Sequence, residues 1–386
     1  MEQDNNYELN LSWQKKGVAF FNQLREEIAA DKSVYLYCLI TTILLYALAV
    51  YLKLPVQYSF ITYLETLYLA CYSAGLVWCS YYYLYLLVRR EKHPTKQFLC
   101  KLKTIVFPLS RTCSILILLL ALNIVFSNYT FLKSIIPLLH PYGVDQSLIE
   151  LDRWLHFGND PWVITHAIFS SPWASLAINT AYNAWFFFMW VTLFFFVLYK
   201  KARVLRLQFL LTFLLTWMIN GSLFATAFSS VGPCYLELLN GDDLFAPLMQ
   251  RLNEQSTFLE SVGAFPLWAL QTQDYLWQGY VTQVNGIGSG ISAMPSMHVS
   301  IAVLMALCTY RLNKTLGYFA CAFAVIIQIG SVHLGWHYAV DGYFFCAFNL
   351  GDLESGRMGA NEPYSPNKSY LTKSYLTLRT LHQNPK

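Results

Sequence analysis

Repeated apolar runs constrain this chain more than any other feature of its sequence. They fall at about 34–54, 58–88, 105–127, 174–199, 205–228, 294–311, 315–333 and 336–350. A hydrocarbon core about 30 Å thick takes about 20 residues of helix to cross, so most of these runs are long enough to span a membrane. Of the 386 residues, 56% are apolar and only 12% charged, about half the charge of an average soluble protein. That balance excludes an ordinary water-soluble enzyme, and it is the reverse of what disorder requires. The expected fold is all-α, a polytopic transmembrane helix bundle of about eight spans.

The placement of Lys and Arg orients such a bundle better than the net charge of +4 does. With the N-terminus inside, the inner segments hold sixteen of these residues, from Lys15 and Lys16 through Arg89, Arg90 and Lys92 to Arg311 and Lys314. The outer segments hold only Lys53, Lys133, Arg153 and Arg251. The bias predicts an N-in, C-in topology. The lipid bilayer is then the implied partner, and nucleic acid is not.

Four regions follow. Residues 1–33 form a cytoplasmic amphipathic segment, with Trp13, Phe20, Phe21, Leu24 and Ile28 at helical spacing opposite Lys15, Lys16 and Arg25. Residues 34–127 hold three N-terminal transmembrane helices, and 128–350 a second unit with two long outer segments, about 128–173 and 229–293. Its last run, 336–350, is short: 15 residues rise about 22 Å. Residues 351–386 show no core pattern, and disorder is expected there. The nine cysteines lack a CxxC pair. Cys38, Cys71, Cys79, Cys113, Cys308, Cys321 and Cys346 lie in or beside apolar runs and read as small hydrophobes.

In the first outer segment, Leu148, Leu151, Trp154 and Leu155 make an apolar stripe opposed by Gln146, Asp152, Arg153 and His156, a helix expected to lie on the membrane surface or to cap the bundle. His140, His156 and His166 read there as solvated. The second outer segment carries Asn285-Gly286-Ile287-Gly288-Ser289-Gly290, whose glycines could turn backbone N–H groups towards an anion or act as a linker.

Ionisable groups at membrane depth are costly, and each is a functional candidate. His298 follows Pro295 and Ser296 at the outer end of the sixth span, and His337 and Asp341 stand at the junction of the seventh and eighth. Two spans joined by a tight inner turn separate the histidines, so both return to one side of the membrane. A spacing of four would place His337 and Asp341 on one helical face, where the carboxylate accepts the imidazole Nδ1–H and leaves Nε2 free as a nucleophile. His333, four before His337, suits substrate hydrogen bonding, a supporting role or a metal ligand. Zinc held by His333, His337, Asp341 and His298 is one rival reading. A transporter or flippase with a proton relay is another, and haem held between paired histidines a third.

The strings Pro295-Ser296-Met297-His298 and His337-Tyr338-Ala339-Val340-Asp341 resemble the two histidine motifs of the type 2 phosphatidic acid phosphatase superfamily. The wider Ala293-Met294-Pro295-Ser296-Met297-His298 string is most similar to its inositol phosphorylceramide synthase branch. The resemblance covers about residues 145–345 and implies a six-helix phosphatase-like core preceded by extra N-terminal spans. It further implies a phosphatase or phosphotransferase acting on a lipid phosphate from the extracytoplasmic side, without metal or organic cofactor. His337 would form a phosphohistidine, Asp341 orient it, and His298 protonate the leaving alkoxide. The family's phosphate-clamping arginines are missing here, since Gly232-Pro233-Cys234-Tyr235 and Ser331 stand where they would be. Arg153, Arg251, Lys133, Ser296, His333 and Tyr338 are the substitutes to test, together with backbone N–H groups at the start of span six.

Overall fold

The computed structural model describes residues 2–53, 63–199, 202–282, 288 and 290–343, with side chains from residue 14 onward. It is all-helical, with no strand among the described residues. The order is α1 (Glu2–Ala30), α2 (Lys32–Tyr51), α3 (Leu64–Val88), α4 (Pro94–Val106), α5 (Leu109–Leu139), α6 (Asp145–Leu155), α7 (Pro161–Ile168) and α8 (Pro172–Leu198). Then come α9 (Arg203–Met218), a π-helical turn (Ile219–Phe224), α10 (Ala225–Ala227), α11 (Leu236–Asn240), α12 (Ala246–Ser261), α13 (Trp268–Thr282), α14 (Met297–Leu312) and α15 (Lys314–His333).

Local signals explain the boundaries. Pro94, Pro161 and Pro172 sit in the first turns of α4, α7 and α8, where a missing N–H costs nothing. The Ser171 hydroxyl accepts the Ala174 N–H, Ser296 accepts Val299 N–H, and the Asn313 side chain accepts Leu316 N–H. Asn313 thus closes α14 and opens α15 in one residue, which makes the tight hairpin that the sequence requires between the two histidine motifs.

Among the described residues, five helices are long and apolar enough to cross a membrane: Lys32–Tyr51, Leu109–Leu139, Pro172–Leu198, the continuous Arg203–Ala227 and Lys314–His333. Met297–Leu312 is apolar but shorter. The other three expected spans fall short of that length or hydropathy, or lie partly outside the described residues. The run at 58–88 becomes α3, whose tyrosines at 68, 72, 81, 82, 83 and 85 hold down its mean hydropathy. The run at 336–350 is helical from Ala339 to Tyr343, and 344–350 lie outside the described residues, as do 285–287 and the 351–386 tail.

α5 corrects a boundary. The apolar run ends at 127, but the helix continues to Leu139, because Asn128, Thr130 and Lys133 are polar groups facing protein. Asn128 donates to Thr42 of α2, and Thr130 pairs with the Tyr63 hydroxyl. The core lies where α5, α8, α9 and α14 meet, around Phe126, Trp190, Phe196, Phe209 and Phe213. Aromatic contacts such as Phe196 on Phe209, with centroids 4.1 Å apart, fill it. A buried ion pair between Asp31 and Arg206 ties the α1–α2 corner to α9. Arg111 donates to the Leu198 carbonyl at the end of α8. The cysteines divide: Cys38 and Cys308 are buried as expected, whereas Cys71 and Cys321 lie on exposed helix faces.

Candidate active site

Three loops meet at one end of the α8–α14–α15 packing. They run from Ser229 to Tyr235 after α10, from Ile291 to Ser296 before α14, and from Leu334 to Tyr338 after α15. The Ala293 N–H donates to Ser230 O and the Met294 N–H to the Ser230 hydroxyl. The Cys234 N–H donates to Gly335 O at 2.9 Å. Gly232, at φ +81°, lies where the three converge: a Cβ there would stand 2.7 Å from Ala293 Cβ and 3.0 Å from Trp336 O. No residue with a side chain fits that crossing without moving a loop.

The two motif histidines line one cavity of about 300 Å³. Their ring centroids are 6.4 Å apart and the planes inclined by 58°. His298, on the first turn of α14, is held between Tyr182 at 4.7 Å and Trp185 at 4.2 Å, both from α8. His337 is 8% exposed. Its Nδ1 lies 2.8 Å from Ala293 O. A carbonyl only accepts, so Nδ1 carries the proton, and in the neutral ring Nε2 keeps its lone pair.

This geometry corrects the sequence reading of Asp341. α15 ends at His333, and His337 lies in the turn before the next helical residues begin at Ala339. His333, His337 and Asp341 therefore do not share a helical face. Asp341 Oδ2 is 3.4 Å from His337 Nδ1 and accepts the Tyr338 N–H at 3.2 Å. The nearer acceptor for Nδ1 is the Ala293 carbonyl, with the buried carboxylate behind it.

Two other carboxylates hold the loops, and the sequence reading missed both. In α6 the buried face is Asp145, Leu148, Ile149 and Asp152, while Leu151, Trp154 and Leu155 point outward. Asp145 accepts the N–H groups of Val231 and Gly232 and the Tyr338 hydroxyl. Asp152 accepts from Ala339 N at 2.7 Å and Val340 N at 2.8 Å. The first carboxylate fixes the Ser229–Tyr235 loop and the second the helix start beyond His337. Burial pushes the Asp152 carboxyl up to about 6, with the two N–H donors opposing the shift. The available signal was the seven-residue spacing, which puts both acids on one helical face.

The remaining candidates separate cleanly. Lys133 lines the cavity, with Nζ 3.3 Å from Gly288 O. Ser296 does not line it, being fully buried and turned into the α14 cap. Tyr338 is likewise buried, bonded to Asp145. Arg153 is engaged by Asp160 through two bonds of 2.7 and 3.1 Å. Arg251 reaches the Ser170 carbonyl at 3.3 Å. His333 points away from the cavity: Nε2 meets the Ser175 hydroxyl at 2.8 Å, Nδ1 meets Thr165, and its ring stacks on His166 at 3.8 Å. His166 is itself 2% exposed rather than solvated, because α7 packs it against α15. No cluster of three or more His, Cys, Asp or Glu groups with metal-holding geometry occurs among the described residues.

The structure is thus an apolar helical bundle with two histidines on one cavity, one of them fixed in a single tautomer. Residues 146–343 of the 386 match the PAP2 superfamily, and the chain belongs to that superfamily. Its members are generally phosphatases or phosphotransferases, and the apolar helices make this chain a membrane protein of that type. No curated protein and no solved structure matches it.

Proposed function

We propose that this chain is an integral membrane lipid phosphatase or phosphotransferase that works through a phosphohistidine at His337. The observation that carries the reading is the 6.4 Å separation of the two rings across one cavity. A nucleophile needs its target atom about 3–3.5 Å away, and a proton donor needs its oxygen within about 2.6–3.2 Å. Rings that line one cavity at this separation can approach a single phosphoryl group from two sides.

In the first step the His337 Nε2 lone pair forms a bond to phosphorus, the bond from phosphorus to the alkoxide breaks, and protonated His298 gives its proton to the departing oxygen. The Nδ1–H stays on the Ala293 carbonyl, and Asp341 stabilises the charge that develops on the ring. In the second step His298, now neutral, takes a proton from the acceptor oxygen as it attacks phosphorus and the P–N bond breaks. Water as acceptor gives a phosphatase, and an alcohol gives a transferase.

The aromatic cavity wall, including Phe126, Trp190 and Trp217, supports a substrate with an apolar portion. The Ala293–His298 string supports the inositol phosphorylceramide synthase-like branch as the transferase form of the same chemistry. The Lys and Arg bias supports a site facing away from the cytosol. The deciding experiment incubates purified protein with a panel of phospholipids and sphingolipids and follows phosphate release and new lipid products together. His337→Ala is expected to abolish both. Unchanged turnover by that variant would contradict the assigned nucleophile.

A further inference from the structure

The reaction leaves one requirement unmet by the histidines and Asp341. The non-bridging phosphate oxygens carry negative charge in the ground and transition states and need cationic or N–H donors. Neither arginine available on sequence grounds supplies them, since Arg153 is occupied by Asp160 and Arg251 lies on Ser170. Neither lines the cavity.

Among the described residues, Lys133 is the one lysine or arginine on the cavity wall, and no Asp or Glu lines it. We propose that Lys133 is the phosphate-binding cation of this site. Its setting suits the role. The ammonium has three donors, and the single hydrogen bond it makes among the described residues is the 3.3 Å contact with Gly288 O. Two contacts fix the lysine backbone against the loop that precedes the first motif. Gly290, at φ +90°, packs so closely that a Cβ there would stand 2.7 Å from Lys133 O. The Gly288 N–H donates to the Tyr63 hydroxyl, which also bonds Thr130 one turn before Lys133. Gly288 and Gly290, read from sequence as either anion-binding N–H groups or part of a linker, pack against Tyr63 and Lys133 and anchor the segment beside the cation.

Lys133 precedes residue 146, where the match to the superfamily begins. The charge that completes the site therefore comes from α5, outside the matched stretch, and the N-terminal helices become part of the binding machinery. This inference rests on the phosphoryl-transfer reading above, and its test separates the two.

The test uses the full-length protein in detergent with two readouts: titration of inorganic phosphate followed by phosphorus NMR, and phosphate release from a short-chain phosphatidic acid. Lys133→Gln and Lys133→Met, the second keeping the apolar stem, are each expected to weaken phosphate binding roughly tenfold or more. KM should rise by a similar factor with kcat affected less, and Lys133→Arg should recover most of the loss. His337→Asn is expected to stop turnover while binding inorganic phosphate nearly as wild type does. Wild-type phosphate affinity in a folded Lys133→Gln or Lys133→Met protein would overturn the Lys133 assignment even with His337→Asn inactive. Continued turnover by His337→Asn would instead overturn the nucleophile, and the phosphate affinities would still decide the role of Lys133.

Discussion

Two pairs of histidines lie close together in this molecule, and they are built for opposite ends. His298 and His337 stand 6.4 Å apart at 58° across a cavity. His166 and His333 stack at 3.8 Å with planes 7° apart, buried between α7, α8 and α15. In the sealed pair three of the four ring nitrogens bond protein, His333 to Ser175 and Thr165 and His166 Nε2 to the His333 carbonyl, and His166 Nδ1 is buried away from the cavity. In the open pair one ring is held by a single nitrogen, and the other stacks on Tyr182 with Trp185 tilted beside it. Proximity of imidazoles therefore does not mark a reactive centre. His337 is proposed as the nucleophile on other grounds, its fixed tautomer and its place on a cavity wall.

The comparison can be broken most decisively at His337. Replacing it with Asn should lower turnover by roughly ten-thousandfold or more, the scale on which a lost nucleophile acts. The protein should still fold and insert, which a melting curve on the purified variant checks. His298→Ala comes next, costing roughly a hundred- to ten-thousandfold on an alkyl phosphate. With a leaving group that needs no proton, such as p-nitrophenol, the loss should shrink sharply. An equal loss on both substrates would remove the general-acid role.

Asp152 sharpens the contrast through a residue that touches neither pair. Its carboxylate receives two backbone N–H groups just beyond His337, and Asp152→Asn keeps one acceptor while turning an NH₂ towards the other donor. A destabilisation of about 1–3 kcal/mol is expected, with a fall in kcat. The pH dependence follows from the raised value near 6. The folded state holds this proton more tightly than the unfolded chain, so the contribution is full below the ordinary carboxyl value of 3.8 and is lost as pH rises through about 6. Wild type should show that slope in its melting temperature and Asp152→Asn should not. Activity should move the other way, falling below about pH 6 as protonation removes one acceptor from the clamp. The smallest effect on chemistry belongs to the sealed pair: His333→Ala should cost about 1–3 kcal/mol of stability yet leave turnover per folded molecule nearly unchanged. A selective loss of kcat there would blur the distinction between the pairs.

Much of this was legible in the sequence. Apolar run length located α2, α5, α8, α9, α14 and α15, because a membrane span is the case in which composition and length nearly determine structure. The histidine motifs, separated by a hairpin of two helices, pointed to one end of the bundle. Three things were hidden. Hydropathy ended the fifth helix at 127, since Lys133 and its polar neighbours look like loop until the protein surface they face is known. The α6 stripe was read as a helix on the membrane surface or a cap, and neither reading singled out Asp145 and Asp152, which are drawn inward by loop N–H groups. The partner of His337 Nδ1 is a backbone carbonyl, and no side-chain pattern encodes it.

The central claim is that His337 accepts a phosphoryl group that His298 helps to release. The most direct measurement is rapid alkaline quench of the full-length His298→Ala protein turning over p-nitrophenyl phosphate, followed by peptide mass spectrometry. Without the base that activates the acceptor, the intermediate should accumulate, and the phosphate should be found on His337. Turnover with no phosphate on that residue, or with the label on His333, would contradict the account.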